Sequence, residues 1–295
     1  MTFPAIDRRL LLQGAVATPL LAAAIPAAAR AVSRGVRTPE SDIDLYVRML
    51  GNSAGGRTYV QYDTDIFCLA DHTVPLLAFR IRGIARSDWS RSGPHSYHQA
   101  SFDHGLICDK VNGKAIDNWR NPLTGQDNVP LHYRSGPFRR DLGPLDDKGK
   151  PFVLALKEAG GGVWFTDTSA GTRTNWIQPD KYPLASTGKD VWLGTSSTYM
   201  VEREFIDDPR RTALPASNFW NFISNYPAWM LMGERPGFVL WRWIARKITR
   251  FGDLDPYLVA EIERRLPGYF TLESPWRDYS NGWIQYGRER PDEVR

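Results

Sequence analysis

The chain has 295 residues, 42% of them hydrophobic and 24% charged, which places it among folded globular proteins rather than disordered or fibrous ones. A formal net charge of +4, with no run of lysine or arginine, argues against a phosphate-tracking surface, so no nucleic acid is expected as a partner. The two cysteines lack CxxC spacing and exclude an iron–sulfur or zinc site built from thiolates, whereas eleven tryptophans suit a large apolar core or a pocket that grips rings.

Arg8 and Arg9 stand directly before an apolar run from Leu10 to Ala24, and Ala27, Ala28 and Ala29 follow. Paired arginines, a short hydrophobic stretch and a small-residue end predict a twin-arginine signal segment over residues 1–29. The stretch is too short and too rich in alanine for a membrane span. The export machinery is therefore an expected partner and the periplasm the expected location. Residues 30–40 form a basic linker, and residues 41–295 read as one domain. Cys68 and Cys108 lie in or beside apolar runs. A chain folded before export forms its structure in a reducing compartment, which disfavours a disulfide between them although the periplasm would permit one.

Ser41 is positioned to cap a short helix over 42–50, which the glycine-rich stretch at 51–56 ends. Alternation over 58–67 and again over 76–86 predicts a hairpin. The expected register sets Asp63 against Arg80 and Gln61 against Arg82 on one face, with Tyr62 against Ile81 on the other. Turn residues at 109–114 and 121–125 divide the next stretch into strands near 97–108, 114–120 and 129–134. Further strands are expected at 152–157, 162–166 and 191–206. The segments 218–223 and 238–250 look helical and are rich in Trp and Phe. Pro256 opens a better helix with Leu258, Ile262 and Leu266 on one stripe, and 275–290 looks extended. The expectation is an α+β fold, mainly an antiparallel, lipocalin-like β-barrel with a C-terminal helical, Trp-rich segment packed over it as a lid. The alternative for Trp220, Trp229, Trp241 and Trp243 is one exposed aromatic patch making peripheral membrane contact.

All five histidines, His72, His95, His98, His104 and His132, fall in the strand-rich first half. A histidine beside a carboxylate in an apolar barrel can move a proton at neutral pH. That makes His98, His104 and His132, with Asp103 and Glu204, the catalytic candidates, and Asp117 a further possible partner. The corner Asn118-Trp119-Arg120-Asn121-Pro122-Leu123-Thr124-Gly125 offers either a stacking and hydrogen-bonding wall or a structural turn. Trp119, Arg120 and Asn121, with Tyr62 and Arg80 of the hairpin, are the ligand-binding candidates. No GxSxG elbow or phosphate-binding loop is present, and the histidine spacing matches no metal motif. No metal and no cofactor are expected.

The leader, the corner with His132 downstream, Glu202-Arg203-Glu204-Phe205 and the closing Trp276, Trp283 and Tyr286 together resemble a bacterial family known as domain of unknown function eighteen thirty-eight. The resemblance spans most of the chain beyond the leader. It implies one continuous domain and brings no activity or catalytic residues. The expected function is binding of a hydrophobic or aromatic small molecule in a barrel cavity, with metal-independent lyase, isomerase or hydratase chemistry as the catalytic option. The rivals are a carrier without turnover and a metal-dependent oxygenase or hydrolase using the histidines.

Overall fold

A computed structural model describes residues 37–70, 74–173, 191–224, 226–232 and 235–276, without the side chains of 167–173, 191–195 and 228. The leader, His72, Trp283, Tyr286 and most of the expected extended tail lie outside these residues.

Helix α1 (Pro39–Leu50) begins one turn earlier than the sequence suggests. Thr38 is the N-cap, and Ser41 closes a reciprocal capping box with it. Proline in the first turn needs no amide partner there, so the start is favourable.

Nine antiparallel strands follow as one sheet: β1 (Gly56–Ala70), β2 (Leu76–Gly93), β3 (Ser96–Cys108), β6 (Tyr133–Leu142), β7 (Lys157–Ala159), β8 (Gly162–Arg173), β9 (Val191–Glu202), β10 (Ser217–Ser224) and β11 (Gly237–Ile248). Their order is β6-β3-β2-β1-β11-β10-β9-β8-β7. The two-residue strands β4 (Trp119–Arg120) and β5 (Asp127–Asn128) pair separately, α2 (Arg203–Asp207) follows β9, and α3 (Pro256–Arg265) follows β11.

The expected helices at 218–223 and 238–250 are instead the paired strands β10 and β11. Trp241, Trp243 and Ala245 alternate with exposed Arg242, Ile244 and Arg246, a period of two that no helix face produces. The expected antiparallel β-rich architecture is present; the sheet is curled, with β6 and β7 at its edges, and among the described residues no pairing between them closes it into a barrel.

The curl is measurable. Tyr133 of β6 and Trp241 of β11 have three strands between them, about 19 Å apart on a flat sheet at roughly 4.8 Å per strand. Their ring centroids are 6.2 Å apart. The sheet therefore wraps around its inner face.

The β1–β2 hairpin has the expected faces but a register displaced by two residues. Asp63 meets Arg82, Asp65 meets Arg80, and Tyr62 meets Gly83. Both charge pairs close as hydrogen-bonded ion pairs, at 2.7 and 2.8 Å.

Different elements cover the two faces. On the convex face α3 and residues 266–276 bury Leu258, Ile262 and Tyr269 against Ile84, Phe102 and Leu106. On the concave face α1 covers one end, through Ile43 and Val47 against Trp89 and Tyr97 and through Leu45 and Met49 against Phe165 and Val201. The other end is closed by Trp119, Trp229, Met230 and Met232 on Phe79 and Ile66. Cys68 and Cys108 are both free and buried, and they belong to cores on opposite faces. Burial pushes these thiols up to about 12 and about 11. No helix among the described residues is long and apolar enough to cross a membrane.

Candidate functional site

Between the two covered ends of the concave face lies a stretch of sheet built around Tyr62. Its cross-strand neighbours across β2 and β3 are Gly83 and Gly105, which carry no side chains to lift the ring. An added Cβ on Gly83 would stand 2.4 Å from the Tyr62 hydroxyl, and one on Gly105 would stand 2.6 Å from it. The two glycines thus form a bed on which the ring lies flat. From there the Tyr62 hydroxyl donates to Oδ1 of Asp103 at 2.7 Å.

Asp103 is partly exposed, yet protein atoms crowd its carboxyl. The carboxyl lies on the concave side of the curled sheet, in the hollow termed the cleft. Burial holds the carboxyl up at about 7, only partly offset by the Tyr62 hydrogen bond. Burial and the neighbouring Asp103 raise the Tyr62 phenol well above its usual value, so it acts as a donor at neutral pH.

A continuous chain of aromatic rings surrounds this pair. Trp243 stacks on Tyr62 with centroids 3.6 Å apart, and Trp220 meets Trp243 edge-on at 5.6 Å. Phe222 stacks on Trp220 at 5.3 Å, Trp241 meets Phe222 at 6.1 Å, and Tyr133 meets Trp241. Tyr133 is the cross-strand partner of Gly105, and Ser135 is that of Asp103. The belt therefore starts at the phenol bound to Asp103 and returns to the strand beside it. Thr64 and Trp243, partners across β1 and β11, add a hydroxyl and an indole N–H that are buried without a hydrogen-bond partner.

The sequence-predicted residues separate accordingly. Tyr62 and Asp103 come together on the concave face. His104, one residue on, points to the convex side, where it packs near Tyr269. Burial is the main force holding it down to about 3, with a smaller push from His132. His132 precedes β6, accepts a hydrogen bond from the Ile107 amide, and is held by burial at about 4. His98 is half-buried and pairs with Asp141 at 2.9 Å, and Glu204 is exposed on α2. These histidines form no cluster. Among the described residues no three His, Cys, Asp or Glu side chains converge as a metal-ligand group.

The corner at Trp119 is structural. The Trp119 indole donates to the Ala78 carbonyl and packs edge-on against Phe79 and Trp229. Asn121 is fully buried, takes the Leu123 amide and gives its own amide to the Met230 carbonyl. Arg120 is exposed near Asp127, and Arg80 lies on the convex face with Asp65. Trp220, Trp241 and Trp243 are wall residues of the cleft rather than a lid. Trp229, in the turn Ala228–Met230, packs into the core. The four rings do not form one exposed patch.

Sequence reading missed Trp243, Trp220, Trp241 and Tyr133 as members of the site. The signal was present: Trp220 and Phe222, like Trp241 and Trp243, are two residues apart, the spacing that puts side chains on one strand face.

No curated protein matches the chain. Residues 55–288 match the family described as "Protein of unknown function (DUF1838)", and the match takes in every strand of the curled sheet and all the residues of the cleft. The chain belongs to that family.

Proposed function

We propose that the protein is exported by the twin-arginine route and binds a hydrophobic or aromatic small molecule in a lipocalin-like cradle, the concave face of the curled sheet. The observation that carries this reading is the aromatic belt that starts and ends beside Asp103. Flat rings with partly exposed faces offer a large apolar area at little cost in side-chain entropy. A carboxyl poised near neutral pH, hydrogen-bonded to a phenol that stays protonated, is an acid–base pair. In that role Asp103 takes a proton from a bound carbon acid and Tyr62 keeps the carboxylate oriented. Metal-independent lyase, isomerase or hydratase chemistry then follows from proton movement at one carbon.

Native mass spectrometry of protein purified from the exporting compartment tests the reading. Wild-type protein is expected to retain an organic ligand that Trp243→Ala loses. Once the reaction is identified with that ligand, Asp103→Asn should lower turnover roughly 100- to 10,000-fold with little loss of binding. A ligand that survives Trp243→Ala unchanged places binding elsewhere, and unchanged turnover in Asp103→Asn leaves a carrier.

The export proposal rests on Arg8 and Arg9 ahead of the apolar run. In cell fractionation the Arg8→Lys, Arg9→Lys double variant should accumulate inside the cell with its leader uncleaved. Normal processing of that variant would redirect the protein to another route.

A further inference from the structure

Among the described side chains the belt surrounds one carboxylate, Asp103. Taking the concave face strand by strand between its covered ends, β1 contributes Val60, Tyr62 and Thr64, and β2 contributes Ile81, Gly83 and Ala85. On β3 stand Ser101, Asp103 and Gly105, and on β6 Tyr133 and Ser135. The remaining wall consists of Trp241, Trp243 and Ala245 of β11 with Asn218, Trp220 and Phe222 of β10.

Two cations that the register places on this face, Lys247 and Arg140, are committed elsewhere. Lys247 is buried under α1, where its ammonium donates to the carbonyls of Arg48 and Gly51 at the end of that helix. Arg140 is bonded to Gln99 and lies over the Tyr46 ring. Among the described residues, Asp103 therefore has no cationic partner, and Tyr62 is its one hydrogen-bond donor.

We propose that the ligand of this cleft is an organic cation, an amine or quaternary ammonium on an apolar skeleton, seated on the Trp and Tyr faces with its charge toward Asp103. The proposal rests on the cleft being the binding site and adds the ligand's charge. Three ligand classes would fare differently here. An anion meets a carboxylate, electron-rich ring faces and no basic group. A neutral molecule gains the apolar contact and leaves Asp103 without a counter-charge. A cation gains the contact, the attraction of the ring quadrupoles and a carboxylate in surroundings of low dielectric. Pairing also keeps Asp103 ionised, the form that a general base requires.

The acidity of the site supports the same assignment. The titratable groups near Asp103 are Tyr62 from β1, Tyr133 from β6, and Tyr269 below the sheet. Its chain neighbour His104 faces the convex side and, like His132, stays neutral under burial. None of them supplies a positive charge at neutral pH. Burial alone accounts for a carboxyl held at about 7, and a bound cation would remove that penalty.

The test is quenching of tryptophan fluorescence in the full-length protein by choline, by its uncharged carbon isostere 3,3-dimethylbutan-1-ol, and by acetate as the anion. Choline is expected to bind about tenfold tighter than the isostere. Asp103→Asn should erase that difference without weakening the isostere, while acetate does not bind. In wild-type protein choline affinity should fall about tenfold from pH 8 to pH 5 as Asp103 takes up its proton, with the isostere unchanged. That titration carries the test even where Asp103→Asn folds poorly. Equal affinity for choline and its isostere, insensitive to pH, overturns the cationic ligand and leaves the aromatic cleft standing. No quenching by any probe, together with a retained native ligand that Trp243→Ala fails to release, removes the cleft as the binding site and the inference with it.

Discussion

Alanine at position 83 is expected to lower stability by about 3 kcal/mol and to separate Tyr62 from Asp103. The new Cβ would stand 2.4 Å from both Cζ and the hydroxyl of Tyr62, and 2.5 Å from the His104 carbonyl oxygen. The side chain can move, but the carbonyl belongs to the neighbouring strand and cannot yield without bending the ladder. Tyr62 must therefore leave its bed, and Trp243, stacked on it at 3.6 Å, must move with it. Chemical denaturation measures the first effect, and the fluorescence of Trp243 reports the second. Gly105→Ala should act in the same direction, because its Cβ would meet Ile81 and the Tyr62 hydroxyl at 2.6 Å. Gly252→Ala is the matched control: nothing lies within 4 Å of its Cβ, so stability should stay within about 0.5 kcal/mol of wild type. Combining Gly83→Ala with Tyr62→Leu should cost less than the two changes summed, since the clash needs both partners. Strict additivity, or a neutral Gly83→Ala, would mean that the ring does not lie on the glycine.

The glycine bed also explains how much of the hairpin was legible in the sequence. Alternation located both strands and their faces, yet the charges could not fix the register. Asp63 and Asp65 against Arg80 and Arg82 repeat every two residues, so a slide of two still sets acid against base. What distinguishes the two registers is the room for Tyr62, available over Gly83 and absent over Ile81. That information is steric and long-range. For β10 and β11 the failure was different: dense Trp and Phe drew attention to composition, while the alternation of Trp241 and Trp243 with Arg242 and Ile244 carried the strand signal. The amphipathic stripe of α3 was legible because Leu258 and Ile262 are one turn apart and both fully buried.

The site was half legible for a related reason. Asp103 and His104 are adjacent in the chain, and adjacency on a strand puts side chains on opposite faces. A histidine–carboxylate pair at consecutive strand positions is therefore the wrong constellation. The partner of Asp103 comes from two strands away, 41 residues earlier. The belt depends on curvature that brings β6 over to β11, and curvature is a property of the whole sheet with no local signature.

Acid should destabilise Asp103→Asn more steeply than wild type, and the sign follows from one buried group, His104, and two partly buried ones, His132 and Asp103. His104 is held at about 3 and His132 at about 4, against about 6.5 for a free imidazole. The Tyr133 backbone slightly favours a charged His104, but neither ring nitrogen makes a well-formed hydrogen bond. As pH falls through 6.5 the unfolded chain binds protons that the folded chain refuses, so stability is lost by on the order of 5 kcal/mol by pH 4, after allowance for the partial exposure of His132, and further towards pH 3. Asp103 acts in the opposite sense. Its carboxyl is held at about 7, against roughly 3.9 in an unfolded chain. Between these values the folded state keeps a proton that the unfolded state has released. Its contribution is full below about pH 4 and is lost as pH rises through 7, roughly 3 kcal/mol after allowance for partial exposure. In wild-type protein the two effects oppose each other between pH 4 and 6.5, leaving a net acid loss of about 2 kcal/mol. Asp103→Asn removes the opposing arm. It should be more stable than wild type at pH 8 and lose on the order of 5 kcal/mol by pH 4. His104→Gln, which cannot take up a proton in this range, should flatten the acid limb. Urea denaturation across pH 4–8 for the three proteins decides the matter: parallel curves for wild type and Asp103→Asn would show that the carboxyl is not held near neutrality, and with that the acid–base role of the cleft would fall.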